Sequence, residues 1–411
     1  MNNLILNEKY SDTKNFFEVA KGDKIFYKNK NLIDLSSCSG VLILGHNSFV
    51  FKKSITNYLN KNISIFSHPN VHALKLSKNI NYFFPNCKKF IYCNSGVEGV
   101  LKSLRISRAI NKKNIIVSVV GSWHGSTDQT LFYPKKNLIP EPSSAGLSSA
   151  DQKNLKFIPY NDIKESKKIL DKIKKKTTCI IIEPITACLP LKNAKPYLKF
   201  LESYCKKNKI NLIFDEIITG FRSNKGNVQN QYNIKPDITI IGKIVGGGMP
   251  MSVIGLSKNT FIKLRKLNKK VLFGGTFSGN TLSAFMGNET IKYIKDNKSL
   301  INELIKKCKI FESEINNFII KENLDVKVYR FDSILRIVFS SKEANNRLQR
   351  DFLENNKNIL MKKFIKYLLD KNIYYPPNGV ILLSTCTNYN SLNYIIKNIK
   401  EGLKKYFKKK I

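Results

Sequence analysis

One lysine of this chain sits apart from the rest. Most lysines stand in polar runs, but Lys243 follows the apolar stretch Ile238 to Ile241 and is followed by Gly246-Gly247-Gly248. A desolvated lysine loses basicity and can attack a carbonyl carbon. The structural alternative is a side chain snorkelling to the surface from a strand end. Upstream, Leu212-Ile213-Phe214 runs into the pair Asp215-Glu216. Carboxylates at the end of an apolar run are costly to bury unless they meet a cation or a charged N–H. A magnesium ion is one such partner, and a protonated ring nitrogen is another; the chain has no G-x-x-x-x-G-K-[ST] loop to support the first.

Three further stretches could surround a ligand. Asn94-Ser95-Gly96-Val97 precedes a helical pattern, so its N–H groups could hold a phosphate or Ser95 could simply cap a helix. Gly121-Ser122-Trp123-His124-Gly125 follows an apolar strand and carries the chain's one tryptophan. Trp123 at that edge suits a stacking shelf or a core aromatic, and His124 could bond a ligand or satisfy its own loop. Gly274-Gly275-Thr276-Phe277-Ser278-Gly279-Asn280 reads as a polar loop able to place a hydroxyl on a phosphate.

These stretches need a scaffold. Ile115–Val120, Cys179–Ile182, Asn211–Phe214, Ile238–Ile241 and Met251–Leu256 read as short strands, separated by amphipathic stretches at Val97–Ile110, Ile163–Lys174 and Lys195–Asn208. Apolar runs without strict alternation predict strands buried on both faces, and alternation with helices predicts a mostly parallel sheet. The expected organisation is an α/β fold: a large domain over residues 61–290 and a smaller α+β domain over 291–411. The N-terminal segment 1–60 is expected to pack with the smaller domain, through short strands at Lys24–Tyr27 and Leu32–Leu35.

The charge of +40, from 70 basic and 30 acidic residues, could suggest nucleic acid or an anionic membrane. Lys, Asn and Ile are used heavily along the whole chain and no nucleic-acid motif is present, so we read the charge as compositional. No nucleic-acid partner is expected. Eight cysteines without metal-ligand spacing predict a reducing compartment and no metal site. Met1 to Asp12 lacks an apolar leader pattern, and no long apolar run suggests a membrane span. The expected location is the cytoplasm.

The five stretches share one order: phosphate turn, aromatic shelf, carboxylate, lysine, second phosphate loop. In that order and wording the chain resembles the class III aminotransferases of fold type I, most closely the glutamate-1-semialdehyde 2,1-aminomutase branch. The resemblance runs from about Lys21 to the C-terminus. It is strongest at Asp215-Glu216-Ile217-Ile218-Thr219-Gly220-Phe221-Arg222, Gly242 to Pro250 and Gly275 to Asn280. Pro142 to Leu147 also resembles that branch's gating loop. The resemblance implies a seven-stranded sheet, a pyridoxal 5'-phosphate (PLP) cofactor and a homodimer. It implies Lys243 as the Schiff-base and proton-transfer residue, and Asp215 at the ring nitrogen. Trp123 and Ile217 would face the ring, with His124 beside it. Ser95, Gly96 and Val97 would hold the phosphate, and Thr276 the phosphate of a second subunit's cofactor. Glu183, in a matching Glu-Pro pair, is expected to be structural.

Departures gather on the substrate side. Thr13 to Phe17 has no arginine where the branch has one for a substrate carboxylate. Ser39 replaces a tryptophan, Val97 a threonine and Cys188 an asparagine, while Pro377-Asn378-Gly379 replaces a longer Phe-Glu-Ala-Gly segment. Arg222 and Arg330 are candidates for a substrate carboxylate. The pattern favours a transaminase passing an amino group between a donor and a small aldehyde or ketone. The alternative is the aminomutase reaction, an intramolecular amino transfer in tetrapyrrole synthesis.

Overall fold

In a computed structural model of the chain, residues 17–27, 30–64, 68–135 and 137–409 are described. Its centre is a seven-stranded sheet in the order Lys89–Cys93, Ser252–Leu256, Ile238–Ile241, Asn211–Asp215, Thr177–Ile182, Ile115–Val119, Leu155–Ile158. Ser252–Leu256 runs antiparallel to both neighbours; the other strands all run one way. The carboxyl ends of these six therefore reach one edge of the sheet, where ligands of open α/β sheets bind.

The sheet is covered on both faces, which explains the missing hydrophobic alternation. Val117, Val119, Ile180, Ile182, Leu212 and Phe214 join one apolar cluster. Their neighbours Ile116, Cys179, Ile181, Ile213, Ile238 and Ile240 join another. Burying such aliphatic side chains stabilises the fold by about 1.5–3 kcal/mol each. The helix Lys195–Asn208 forms over the expected residues, with Pro196 in its first turn. Gly96–Asn111 is one residue longer than expected at each end, and Ile163–Ile173 one residue shorter at its C-terminal end.

Two sheet strands, Lys89–Cys93 and Leu155–Ile158, were not legible in the sequence. Both are short edge strands, and their interspersed polar residues weaken the apolar signal. The hairpin Phe132–Pro134/Pro140–Pro142 was likewise not foreseen.

Beyond the central sheet, Lys327–Phe331, Ile334–Val338 and Val380–Ile381 form an antiparallel sheet. The N-terminal strands Val19–Lys21, Lys24–Tyr27 and Lys30–Asp34 continue into Ile373–Tyr374, with Ile33 paired to Ile373. The chain's two ends thus share a sheet. Helices Lys298–Lys321, Asn358–Asp370 and Tyr389–Tyr406 supply Phe311, Phe364 and Ile399 to one core cluster. Among the described residues, no helix is long and apolar enough to cross a membrane.

Candidate active site

Four adjacent parallel strands end on four notable groups. After Ile115–Val119 come Trp123 and His124; after Thr177–Ile182 comes Glu183; Asn211–Asp215 ends on Asp215; two residues past Ile238–Ile241 stands Lys243. The sheet topology alone brings together side chains 120 positions apart in the chain.

Lys243 has φ 51, in the left-handed region that side chains seldom adopt. It opens a short turn, Lys243–Gly246, that the glycine run locks in place. A Cβ at Gly247 would strike the Met286 carbonyl, and one at Gly287 would strike the Val245 carbonyl. Only glycines at both places let this turn lie on helix Thr281–Asp296. The Lys243 amine donates to the Ser39 carbonyl at 2.5 Å. Burial lowers its basicity and Arg222 lowers it further, against the opposing pull of Glu183 and Asp215.

The acidic pair splits because consecutive residues leave a strand end in opposite directions. Asp215 is buried, with Oδ2 2.8 Å from His124 Nδ1 and Oδ1 accepting from the Ile217 N–H. Glu216 turns away and caps a loop. It accepts from the N–H groups of Val228 and Gln229, the Thr219 hydroxyl and the Gln229 amide. His124 Nε2 is buried without a hydrogen-bond partner among the described residues.

Glu183 is buried beside Asp215. Burial, and then the Asp215 charge, push its carboxyl up to about 8, so near neutral pH it mostly holds a proton. Its Oε2 accepts from the Trp123 N–H at 3.3 Å, and its own N–H donates to the Ser122 hydroxyl. It thereby fixes the turn that carries Trp123 and His124.

At helix Gly96–Asn111, Ser95 is the helix cap. The Ser95 hydroxyl accepts from the Glu98 N–H at 3.2 Å, and the Ser95 carbonyl accepts from Gly99. The N–H groups of Gly96 and Val97, which the first turn of a helix leaves unpaired, are the ones left for an anion. A Cβ at Gly96 would lie 2.7 Å from Ile217 Cδ1, so Ile217 packs across the start of this helix. It also lies against Gly242, beside Lys243.

PLP needs an amine for its aldehyde, a carboxylate for its ring nitrogen and N–H groups for its phosphate. Lys243, Asp215 and the Gly96–Val97 turn supply that donor set at one sheet edge. The partnerless His124 Nε2 adds a buried polar atom suited to a bound ligand. The residues fit the group.

The remaining candidates are more dispersed. Trp123 is 61% exposed, and Thr276 lies on an exposed loop. That loop passes the helix start, since a Cβ at Gly275 would lie 3.2 Å from Glu98. Ser143 to Gly146 form an exposed loop after the hairpin. Arg330 is bound to Glu312 at 2.7 Å and to the Asp332 carbonyl. Arg222 is 1% exposed and donates to the carbonyls of Gly40 and Leu383. Burial lowers its pKa to about 10. It braces the N-terminal segment against the C-terminal one. Of the substrate-side stretch Thr13 to Phe17, all but Phe17 lies outside the described residues.

The family model "Aminotransferase class-III" matches residues 6–359. A glutamate-1-semialdehyde 2,1-aminomutase of Methanococcus maripaludis is 30% identical over 384 residues, covering 91% of this chain and 87% of that protein. An omega-transaminase from Sphaerobacter thermophilus superposes with TM-score 0.88 at 20% identity, covering 97% of this chain and 92% of its own. A glutamate-1-semialdehyde-aminomutase from Pseudomonas aeruginosa superposes with TM-score 0.85 at 16% identity, covering 95% and 87%. At these identities, the two structures report on fold alone.

Proposed function

The chain belongs to the class III aminotransferases, PLP-dependent enzymes, and from that premise we propose that it carries an amino group between a small donor and a small aldehyde or ketone, with Lys243 as the reacting amine. The observation that carries this reading is the half-buried Lys243, its amine on the Ser39 carbonyl, at the sheet edge that also holds Asp215, fixed by His124. Bound PLP supplies an aldehyde that condenses with amines and a ring that accepts the electron pair left when a Cα–H bond breaks.

The chain's own groups do the rest. Lys243, its basicity lowered by burial, is more readily neutral and can attack as a nucleophile and then move a proton through Nζ. Asp215, held from two sides, would pair with the protonated ring nitrogen. Gly96 and Val97, behind the Ser95 cap, would hold the phosphate through their N–H groups. Ile217 and Trp123 would flank the ring, with His124 behind Asp215. Glu183, carrying its own proton, stays neutral beside Asp215 and does not compete for the ring's charge.

The same reading includes a homodimer in which Thr276 reaches the cofactor phosphate of a second copy of this chain. Support comes from exposed apolar side chains on that loop and just before it, Phe277 and Leu272. It also includes a cytoplasmic location, supported by eight free cysteines, and division into segments 1–60, 61–290 and 291–411.

The aminomutase reaction is the second reading, favoured by the names of curated relatives at about 30% identity. One experiment separates the two. The holoenzyme is mixed with L-glutamate or L-alanine and no acceptor. Conversion of the visible cofactor band with release of the matching 2-oxo acid establishes transamination. A band that neither donor discharges, together with turnover of glutamate 1-semialdehyde, establishes the aminomutase and removes the first reading.

A further inference from the structure

Helix Gly96–Asn111 carries three charged side chains, Glu98, Lys102 and Arg105, that the proposed mechanism leaves unused. Spaced four and then three residues apart, they follow one face of the helix back from its N-terminus. Lys102 is only 3% exposed, where an unpaired ammonium group would be costly. Its Nζ lies 2.5 Å from Glu98 Oε1 and donates to the Phe273 carbonyl at 2.6 Å. Arg105 Nη1 donates to the Leu272 carbonyl at 3.0 Å. Two cations of one helix thus hold two successive carbonyls of one loop, the loop that carries Thr276.

Glu98 is the joint between that loop and the start of the helix. Its Oε2 accepts from the Asn94 N–H at 2.6 Å, and its own N–H donates to the Ser95 hydroxyl. A Ser-x-x-Glu exchange of this kind shapes a helix start. The turn it shapes is the Gly96–Val97 turn, to which the phosphate was assigned above. Glu98 also meets the loop directly, since a Cβ at Gly275 would lie 3.2 Å from its Oε1. One carboxylate therefore holds the phosphate turn with one oxygen and, through Lys102, the loop with the other.

The loop needs such a brace. Between helices Lys258–Arg265 and Thr281–Asp296 the chain forms no helix or strand, so no regular ladder fixes residues 266–280. A buried ammonium–carboxylate pair adds little net stability, because its attraction is largely offset by desolvation. What it fixes is geometry. The grip falls on the backbone, so the Leu272 and Phe277 side chains stay exposed. A loop set in advance loses less entropy when it meets a second subunit than one that must first be ordered.

We propose that Glu98, Lys102 and Arg105 are positioning residues that set the Thr276 loop against the phosphate turn. One helix then arranges two phosphate contacts: its own turn for one cofactor, and the loop for the cofactor of a second copy of this chain. The proposal rests on the reading of Thr276 as a phosphate contact across a homodimer. Lys243 and Asp215 remain the reacting pair.

The test compares the wild type with Lys102→Met, which keeps an unbranched stem and removes the ammonium group, and with Arg105→Gln, at an exposed position. Amide hydrogen exchange is followed over residues 272–279 in the apo chain, and PLP is titrated through its visible band. In Lys102→Met we expect exchange over 272–279 to quicken by about tenfold, with the strands Ile115–Val119 and Asn211–Asp215 unchanged. The PLP dissociation constant should rise by about tenfold, the effect of one lost charge-assisted hydrogen bond, while turnover at saturating PLP stays within about twofold of wild type. A general loss of packing would instead quicken exchange in those strands and lower turnover as well, and would overturn the proposal.

Unchanged exchange over 272–279 overturns it too. So does a loosened loop that costs no PLP affinity when Thr276→Ala does cost it. If Thr276→Ala binds PLP as the wild type does, the Thr276 contact is what fails, and loop exchange in Lys102→Met alone decides the positioning role. If Lys102→Met loses its thermal transition, Arg105→Gln decides, with an expected change of about threefold in the same two readouts.

Discussion

The cofactor side of the site and the arginine side, around Cys188, are built on different principles. On the cofactor side, each reacting group is fixed by backbone or by one dedicated partner: Asp215 by His124 and the Ile217 N–H, Lys243 by the Ser39 carbonyl, Ser95 by the Glu98 N–H. Four of its anchor points are ends of parallel strands. On the arginine side, Arg336 and Arg350 share the buried Glu354, and Arg336 Nε has no hydrogen-bond partner among the described residues. The first arrangement fixes each group in place and leaves the buried His124 Nε2 without a partner among the described residues. The contrast runs parallel to the sequence: cofactor-side motifs follow the family pattern, while Cys188 and Pro377-Asn378-Gly379, beside the arginines, depart from it.

The comparison breaks most visibly at Lys243. Lys243→Ala should lower turnover by more than about 10⁴-fold and abolish the visible band of lysine-bound cofactor. Circular dichroism should show the fold intact; retained turnover would remove Lys243 from its role. Asp215→Asn should lower turnover by about 10²- to 10⁴-fold, because the amide keeps the shape but loses the charge. Near-normal rates in this variant would mean that Asp215 only positions His124.

Gly287→Ala tests how rigidly the lysine is placed. Its Cβ meets the Val245 carbonyl, so the backbone must shift, at a cost of about 1–3 kcal/mol of stability by chemical denaturation. Turnover should fall along with stability, since the Lys243 turn rests there. An unchanged midpoint would mean that the turn tolerates movement.

Glu183 is read through the pH dependence of stability rather than through turnover. Its carboxyl in the folded protein, at about 8, stands above that of an unfolded glutamate. The stabilisation linked to its proton is full below the unfolded value and is lost as pH rises to the folded one. Measured against Glu183→Gln, wild-type stability should fall between about pH 4 and 8, by at most about 1.4 kcal/mol per pH unit, and level off above. A pH-independent difference would mean that Glu183 is charged throughout.

Much of this was legible in the residues. Apolar runs flanked by small and charged residues marked the interior strands, because strands buried on both faces need continuous apolar sequence. The edge strands Lys89–Cys93 and Leu155–Ile158 escaped because short, mixed sequence at a sheet edge satisfies weaker demands. Lys243 and Asp215 stood out because a charge inside an apolar run requires a reason. Glu183 carried a weaker signal; its raised pKa comes from burial beside Asp215, which lies 32 residues on.

By itself, the sequence determined the α/β sheet and singled out, in order along the chain, the turns and the two residues, Lys243 and Asp215, that the proposed function uses. Each follows from local pattern: hydrophobic runs, glycines at forced turns, a charge in an apolar setting. The tertiary structure alone decided which way each acid of the Asp215-Glu216 pair faces, that Arg330 is taken up by Glu312 and that Arg222 braces two segments. It also brought Arg336, Arg347 and Arg350 to Cys188, more than 140 residues earlier in the chain. Charge balance in a buried site is a sum over neighbours in space, and neighbours in space are what a linear sequence does not list.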